Sequence, residues 1–128
     1  MTQETKALPR PTEIKLHQVS KILEIAFDDG ENFQLSCEYL RISSPSAEVR
    51  GHGPGQETLQ LDKEEVNITS IEPVGTYAVK LFFDDGHNTG LYTWKILYEL
   101  GANFEHNWQD YLQRLKDAGH ERQSLQDS

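Results

Sequence analysis

The sequence predicts an α+β domain: a small, mostly antiparallel sheet built from two β-hairpin-plus-helix repeats, with an added C-terminal helix. The main observation is a duplicated motif, since Phe-Asp-Asp-Gly at residues 27–30 aligns without a gap on the same four residues at 83–86. Alternating apolar residues on either side of each motif have the period of half-buried strands. One such unit cannot bury its own apolar face, so two are expected to pool their strands in one sheet. Alternatively, the similarity of the two motifs is convergent, because Asp-Asp-Gly between two strands is a common hairpin sequence.

The first repeat reads as a hairpin of two strands followed by a short helix, and a further strand precedes it. Alternation predicts strands over residues 12–18 and 22–27, and Asp-Asp-Gly closes the hairpin because glycine reaches positive φ without steric cost. A short return strand over residues 33–35 precedes a helix over residues 37–42, for which Ser36 is a suitable N-cap. The helix residues Tyr39 and Leu40 are expected to face the core.

The second repeat has the same plan. Residues 77–83 are apolar on both faces, which is typical of a central strand covered on each side. Thr93 is expected to cap a helix over residues 94–100, with Gly101 as its stop. The gapless alignment places Leu35 on Leu91.

A further helix is expected over residues 104–116, with Asn103 as its N-cap and Gly119 at its end. Its apolar stripe should dock on the domain or on a second copy. The stripe consists of Phe104, Trp108, Tyr111, Leu112 and Leu115.

The predicted boundaries follow from composition. Residues 1–10 are polar, and Pro9 and Pro11 discourage regular structure, so we expect this segment to be disordered, and residues 11–101 form the main domain. The C-terminal helix belongs to residues 102–119, and residues 120–128 form a flexible tail. Glycines and prolines make residues 43–58 the longest irregular segment, and residues 58–61 are a candidate short strand.

Composition limits the classes of function. The chain has 128 residues, with 21 acidic and 12 basic side chains and a formal net charge of −9. We therefore expect no binding to nucleic acid or anionic membranes. No apolar run approaches the roughly 20 residues needed to span a bilayer, and the N-terminus lacks a signal-peptide core. The single cysteine, Cys37, cannot form an internal disulfide, and together these features favour a cytoplasmic protein.

A cluster of carboxylates and imidazole is the candidate metal site. Asp84, Asp85 and His87 lie within four residues, and such donors bind Zn²⁺ or Fe²⁺. An iron site with two histidines would also need a second histidine, for which His52 is the first candidate and His17 the next. Alternatively, hairpin turns favour aspartate, and the first repeat forms the same turn with Glu31 in the place of His87. We favour this explanation for the Asp pair, but the turn does not explain His87.

No catalytic constellation is visible, so the chain is predicted to be non-enzymatic. Residues 51–55 are rich in glycine but lack the Gly-Lys-Ser/Thr of a phosphate loop, and no nucleophile elbow is present. Tyr92, Trp94 and Tyr98 are expected to pack in the core. Charged and polar residues around the Ser-Pro-Ser segment form a candidate interaction surface. Its members are Arg41, Ser44, Ser46, Glu48, Arg50 and His52.

Two segments together resemble a known family. Residues 40–48 (LRISSPSAE) and 83–94 (FDDGHNTGLYTW) look like the domain of unknown function 971, which is similar to the N-terminal domain of gamma-butyrobetaine hydroxylase. The resemblance extends over about residues 11–101. It implies the fold of that domain. It does not imply oxygenase activity, because the iron and 2-oxoglutarate site of the hydroxylases lies in a separate catalytic domain that a chain of this length does not accommodate.

The resemblance also bears on zinc. In the hydroxylases this domain holds a structural zinc through a Cys-Pro-Cys-x-x-Cys segment and a histidine. The cysteine positions correspond to Ser44, Ser46 and Val49, and the histidine corresponds to His87. Serine is a poor zinc ligand and valine offers no donor, so the thiolate site is expected to be degenerate and His87 to serve a hydrogen bond.

The leading expectation is therefore a non-enzymatic accessory or protein-interaction domain with no cofactor and an unidentified protein partner. The same domain resembles one appended to some Mrp-type ATPases that handle iron–sulfur clusters, which suggests a link to metal handling. The alternative is a protein that binds Fe or Zn through His87 and nearby carboxylates. We expect a monomer or a weak homodimer.

Overall fold

The computed structural model describes residues 8–51 and 57–122. Within these ranges, ten regular elements follow one another along the chain. They are β1 (Pro11–His17), β2 (Ile22–Phe27), β3 (Asn32–Ser36), α1 (Cys37–Ile42), α2 (Ala47–Arg50), β4 (Ile68–Val74), β5 (Ala78–Phe83), β6 (Leu91–Thr93), α3 (Trp94–Ala102) and α4 (Phe104–Asp117).

The α+β class is confirmed, but the strands are not pooled in one sheet. They form two three-stranded antiparallel sheets, in the orders β1-β2-β3 and β4-β5-β6. Within each sheet the strands pair only with strands of the same repeat, and the two units meet through their side chains in one apolar core. The central strands supply much of that core: Leu23, Ile25, Phe27, Val79, Leu81 and Phe83.

The predicted repeat is confirmed at its two turns. Gly30 and Gly86 have φ values of +94° and +92°. Phe27 and Phe83 each donate a backbone hydrogen bond to the carbonyl four residues on, at 2.8 and 3.0 Å. Both rings are buried in the shared core. The two motifs therefore have the same local structure and the same role.

Beyond the turns, the gapless alignment is wrong by one residue. The N-caps of α1 and α3 are Ser36 and Thr93, which places the second cap one residue further from its turn. Leu35 consequently matches Tyr92 and not Leu91. Leu35 and Tyr92 are buried, whereas Leu91 is 36% exposed. The extra residue lies in the irregular segment just before β6.

The central strand of the second sheet is less covered than its apolar residues suggested. β5 does lie between β4 and β6, and its inner face is buried. Tyr77, just before it, is exposed. On the outer face Phe82 is half-buried, and its ring lies under the Lys80 ammonium group at 5.2 Å. The Lys80 side chain thus covers Phe82 on the outer face of β5, where a second layer of structure was expected.

The segment between the repeats is partly regular. It contains α2, whose N-cap Ser46 accepts a hydrogen bond from the backbone two residues on. The strand predicted over residues 58–61 is not formed, because this stretch has no strand partner. Instead, Thr58 donates to the carbonyl of Val49 at 2.8 Å and the Gln60 carbonyl accepts from a side chain of α4.

Two predictions at the junction of α3 and α4 are wrong. Gly101 does not stop α3, which runs to Ala102. A Cβ at Gly101 would lie 2.4 Å from Cγ of Phe33, so glycine is needed for close packing. Asn103 does not cap α4 with its side chain; its amide donates to the Glu99 carbonyl at 3.0 Å and so caps the end of α3.

The apolar stripe of α4 docks on its own domain, which is the first of the two predicted alternatives. The Tyr39 ring lies edge-on to Phe104 and Trp108, with centroids 5.0 and 6.2 Å apart. Tyr111 and Leu115 are buried. No helix within the described ranges is long and apolar enough to cross a membrane.

Both ends of the described chain are attached to the domain. Arg10, predicted to be disordered, donates to the Thr76 carbonyl at 3.2 Å. Arg122, predicted to lie in a flexible tail, forms an ion pair with the buried Glu38 through Nε at 2.8 Å. Its guanidinium also lies 5.3 Å from the ring centroid of Trp108. Residues 1–7 and 123–128 lie outside the described residues.

Replacing Arg122 by methionine should destabilise the protein by about 3 kcal/mol, because the substitution leaves the Glu38 carboxylate buried without its partner. Urea unfolding followed by tryptophan fluorescence measures this change. The double variant Glu38→Met/Arg122→Met is the control and should recover most of the loss, since an apolar pair can replace a buried ion pair at little cost. A single variant as stable as the wild type would contradict this role of the ion pair.

Candidate functional site

The two segments that carry the sequence motif meet at His87, which is buried. Its Nε2 lies 2.8 Å from Ser44 Oγ, and its Nδ1 lies 3.1 Å from Glu48 Oε1. An ionised carboxylate can only accept a hydrogen bond, so this contact places the ring proton on Nδ1 and leaves Nε2 to accept from the Ser44 hydroxyl. The hydrogen bond predicted for His87 is therefore present.

Two further features fix the position of Ser44, and a hydrogen bond holds the neighbouring Ser46. Its Oγ accepts from the backbone N–H of Ser46 at 3.2 Å, and Ser46 Oγ lies 2.7 Å from Thr89 Oγ1. The backbone of Gly90 approaches so closely that a Cβ there would lie 2.4 Å from Ser44 Oγ. Ser44, Ser46, Glu48, His87 and Thr89 are called the His87 network below.

An ion pair next to His87 holds the preceding turn. Arg41 Nε donates to Asp85 Oδ2 at 2.9 Å, and Lys63 Nζ lies 2.7 Å from the same oxygen. The other oxygen, Oδ1, accepts from the His87 backbone N–H at 3.1 Å. Burial alone would raise the pKa of Asp85, but these three donors outweigh it and lower the pKa to about 2.

The paired aspartates have equivalent structural roles in both repeats. Asp28 and Asp84 each accept a backbone N–H from the residue just before the first strand of their sheet, Arg10 at 3.2 Å and Asn67 at 3.1 Å. Asp29 accepts the backbone N–H two residues on at 3.0 Å, as Asp85 does in the second repeat. Its second oxygen accepts from the Tyr98 hydroxyl at 2.6 Å. Turn chemistry thus accounts for both pairs.

The electrostatics keep His87 neutral near pH 7. Burial and the neighbouring Arg41 charge lower the pKa of His87, against a smaller opposing effect of Glu48 and Asp85. Tyr92, below the network, donates its hydroxyl to the Leu40 carbonyl at 2.6 Å, and burial raises the pKa of that hydroxyl.

The donor set does not fit a zinc ion of the hydroxylase type. Ser44 and Ser46 offer only hydroxyl oxygens, which are already hydrogen-bonded, and Val49 offers no donor. Thiolate, imidazole and carboxylate are the usual zinc ligands. Of the predicted ligands, His87 faces Ser44 and Glu48, while the Asp85 carboxylate is engaged by Arg41 and Lys63.

The other predicted ligands do not join His87 within the described residues. Asp84 is bound to the Asn67 backbone, and His52 lies outside the described residues. A different cluster, Asp62, Glu64 and His120, brings ligand atoms within 4.8 Å of one another. Sequence reasoning missed it because His120 lies far along the chain in a segment predicted to be flexible.

Ser44, His87 and Glu48 have the order of contacts found in hydrolytic triads, hydroxyl to imidazole to carboxylate. A nucleophile must reach a substrate atom, but Ser44 is 0% exposed and His87 is also buried. Neither residue lines the cavity beside Arg50. Glu48, which would orient the imidazole, is 65% exposed. The arrangement therefore suits a structural link rather than acyl transfer.

Three of the six residues predicted to form the interaction surface do not lie at the surface. Arg41, Ser44 and Ser46 are buried, because each is held by a partner inside the domain. Glu48 and Arg50 are exposed as predicted. Arg50 donates to the Ser43 carbonyl at 3.0 Å and lies beside an open cavity of about 370 Å³.

The chain matches one family model and solved structures of similar proteins. The family described as gamma-butyrobetaine hydroxylase-like, N-terminal, matches residues 14–98. Two proteins with NMR solution structures are 52% and 42% identical, both with a TM-score of 0.79. The first alignment covers 100% of this chain and 95% of that chain, and the second covers 95% and 98%.

A crystal structure from Acidithiobacillus ferrooxidans is 38% identical with a TM-score of 0.62, covering 73% of this chain and 93% of that chain. It is described as a protein of unknown function that belongs to the DUF971 family. A search of proteins with curated functions finds no match.

Acidification should destabilise the protein through His87. The pKa of this buried imidazole lies below its ordinary value of 6.5, so the unfolded chain binds a proton that the folded protein does not. The stability contributed by neutral His87 is complete above pH 6.5 and is lost as the pH falls from there through the folded-state pKa.

The melting temperature measured from about pH 8 to about pH 5 tests this, and should fall more steeply for the wild type than for His87→Gln. The matched control is His106→Gln, which removes an exposed imidazole from α4 and should keep the wild-type slope. Parallel curves for the wild type and His87→Gln would contradict the account.

Proposed function

Because this chain belongs to the gamma-butyrobetaine hydroxylase-like N-terminal family, we propose that it is a non-enzymatic accessory domain that binds a protein partner. One observation carries the proposal. The motif segment is locked from inside by the His87 network, and its outer side forms a wall of the cavity beside Arg50. A rigid, substrate-inaccessible motif next to an open cavity suits recognition better than catalysis.

The cavity has an apolar floor and a charged rim. Pro45 from the motif segment and Ile96 and Leu100 from α3 contribute the apolar surface. Arg50 and Glu99 contribute the charges, and Arg50 is fixed by its bond to the Ser43 carbonyl. Its volume of about 370 Å³ is enough for one or two side chains of a partner segment.

The charge of the domain defines the chemistry of the partner. With a formal net charge of −9, the domain attracts a basic surface, and such attraction raises the association rate and weakens with salt. The burial of α4 on its own domain supports the monomer over the weak homodimer. The buried free thiol of Cys37 suits a reducing, cytoplasmic location, which is part of the proposal.

A link to iron–sulfur or metal handling stays a prediction. It rests on the resemblance to domains appended to Mrp-type ATPases. A purified ATPase of that type is accordingly the first candidate partner to test, beside any protein recovered by affinity capture with the full chain.

Reversing a charge on the cavity rim should weaken partner binding. Glu99→Arg places a positive charge where the basic partner docks, so isothermal titration calorimetry with the purified partner should show at least about a tenfold higher Kd. Glu105→Arg makes the same charge change on exposed surface outside the cavity and should leave Kd close to wild type. The proposal fails if no purified partner binds the wild type, or if the two variants lose affinity equally.

A further inference from the structure

We propose that Asp62, Glu64 and His120 form a site for a divalent metal ion of the zinc type, independent of the His87 network and of the proposed partner binding. One ligand atom from each residue lies within 4.8 Å of the other two. The set combines one imidazole nitrogen with two carboxylate oxygens; both donor types bind zinc, and three protein ligands leave a coordination position open.

The end of α4 positions the histidine. Gly119 has a φ of +73°, and the backbone N–H of the next residue, His120, donates to the Leu115 carbonyl at 2.9 Å. This turn directs the chain back toward the loop that precedes β4, where Asp62 and Glu64 lie. The pair of Arg122 with Glu38, two residues on, holds the segment in this position.

The donor spacing is close to what an ion requires. In a tetrahedral site with ligand distances near 2.1 Å, neighbouring donor atoms lie about 3.4 Å apart. His120 Nε2 and Asp62 Oδ1 are already 3.4 Å apart. The other two pairs of donor atoms lie within 4.8 Å, so ion binding requires them to move closer together.

A second observation points to a ligand. The Nε2 atom of His120 is buried, with less than 1 Å² of accessible surface, and has no hydrogen-bond partner in the described part of the chain. Its contact with Asp62 has the distance of an ion pair but not the geometry of a hydrogen bond. Burying a polar nitrogen without a partner is unfavourable, and a metal ion on its lone pair removes that cost.

The surroundings favour a cation and leave it access. Burial, followed by the charges of Glu38 and Glu64, raises the pKa of the Tyr111 hydroxyl against an opposing effect of Arg122, and Asp62 adds a smaller increase. The negative charges therefore outweigh the positive one in this region. Glu64 is buried, whereas the Asp62 side chain is 77% exposed. One side of the ion would therefore face solvent, with room for a water ligand.

Zinc titration of the full chain, stripped of metal with a chelator, tests the site. Isothermal titration calorimetry should show one Zn²⁺ per chain, and Zn²⁺ should raise the melting temperature because binding is linked to folding. His120→Ala and Asp62→Asn should each weaken binding at least about tenfold. Asp62 is exposed, so its variant is expected to fold, and melting in the absence of metal checks both variants.

Two matched controls locate the ion. His106→Ala removes an exposed imidazole from α4, and His87→Ala removes the imidazole of the His87 network; both should retain wild-type zinc affinity. The proposal is overturned if the wild type binds no Zn²⁺, if His106→Ala weakens binding as much as His120→Ala, or if binding is lost in His87→Ala and kept in His120→Ala. Failure of this site would leave the partner-binding assay with Glu99→Arg unaffected.

Discussion

The hydrogen bond between His87 and Ser44 is the constraint on which the candidate site depends. It joins the turn of the second repeat to the segment that follows α1, across 43 residues of sequence, and both side chains are buried. On one side of it the Asp85 carboxylate is held by Arg41 and Lys63. On the other side the segment leads into α2 and forms a wall of the open cavity.

Hydrogen bonds of this kind are weaker than a structural metal site. One bond contributes about 1 kcal/mol net, whereas structural zinc contributes about 10–16 kcal/mol in small metal-dependent domains. With serine at positions 44 and 46 and valine at position 49, this segment has no thiolate to bind zinc, and the domain is held mainly by its core. The two sheets form that core, since the buried faces of β2 and β5 join α1 and α3 in one apolar cluster. The His87 network then fixes the local path of the motif segment rather than the whole fold.

Sequence reasoning succeeded at both turns and at two of the three predicted N-caps, whereas the cap predicted at Asn103 was wrong. The two Asp-Asp-Gly turns and the caps Ser36 and Thr93 depend on residues within one turn of chain, and each was predicted at the correct residue. It failed where the determining contact is distant. The role of Gly101 depends on Phe33, which faces it from another element.

The candidate site likewise has features that the sequence predicted and features that it did not. The hydrogen-bonding role of His87 could be anticipated, but the burial of Arg41, Ser44 and Ser46 could not, because polar residues in a loop read as surface until their partners are known. The approach of His120 to the loop before β4 depends on how α4 packs, and no sequence motif predicts it.

A double-mutant cycle on Ser44 and His87 tests the central claim most directly. The free energy of unfolding is measured for the wild type, Ser44→Ala, His87→Gln and the double variant. If the two side chains act as a unit, their effects are non-additive, with a coupling energy of about 1 kcal/mol or more. Effects that add to within about 0.3–0.5 kcal/mol would show that the His87–Ser44 contact does not hold the motif segment, and would contradict the account.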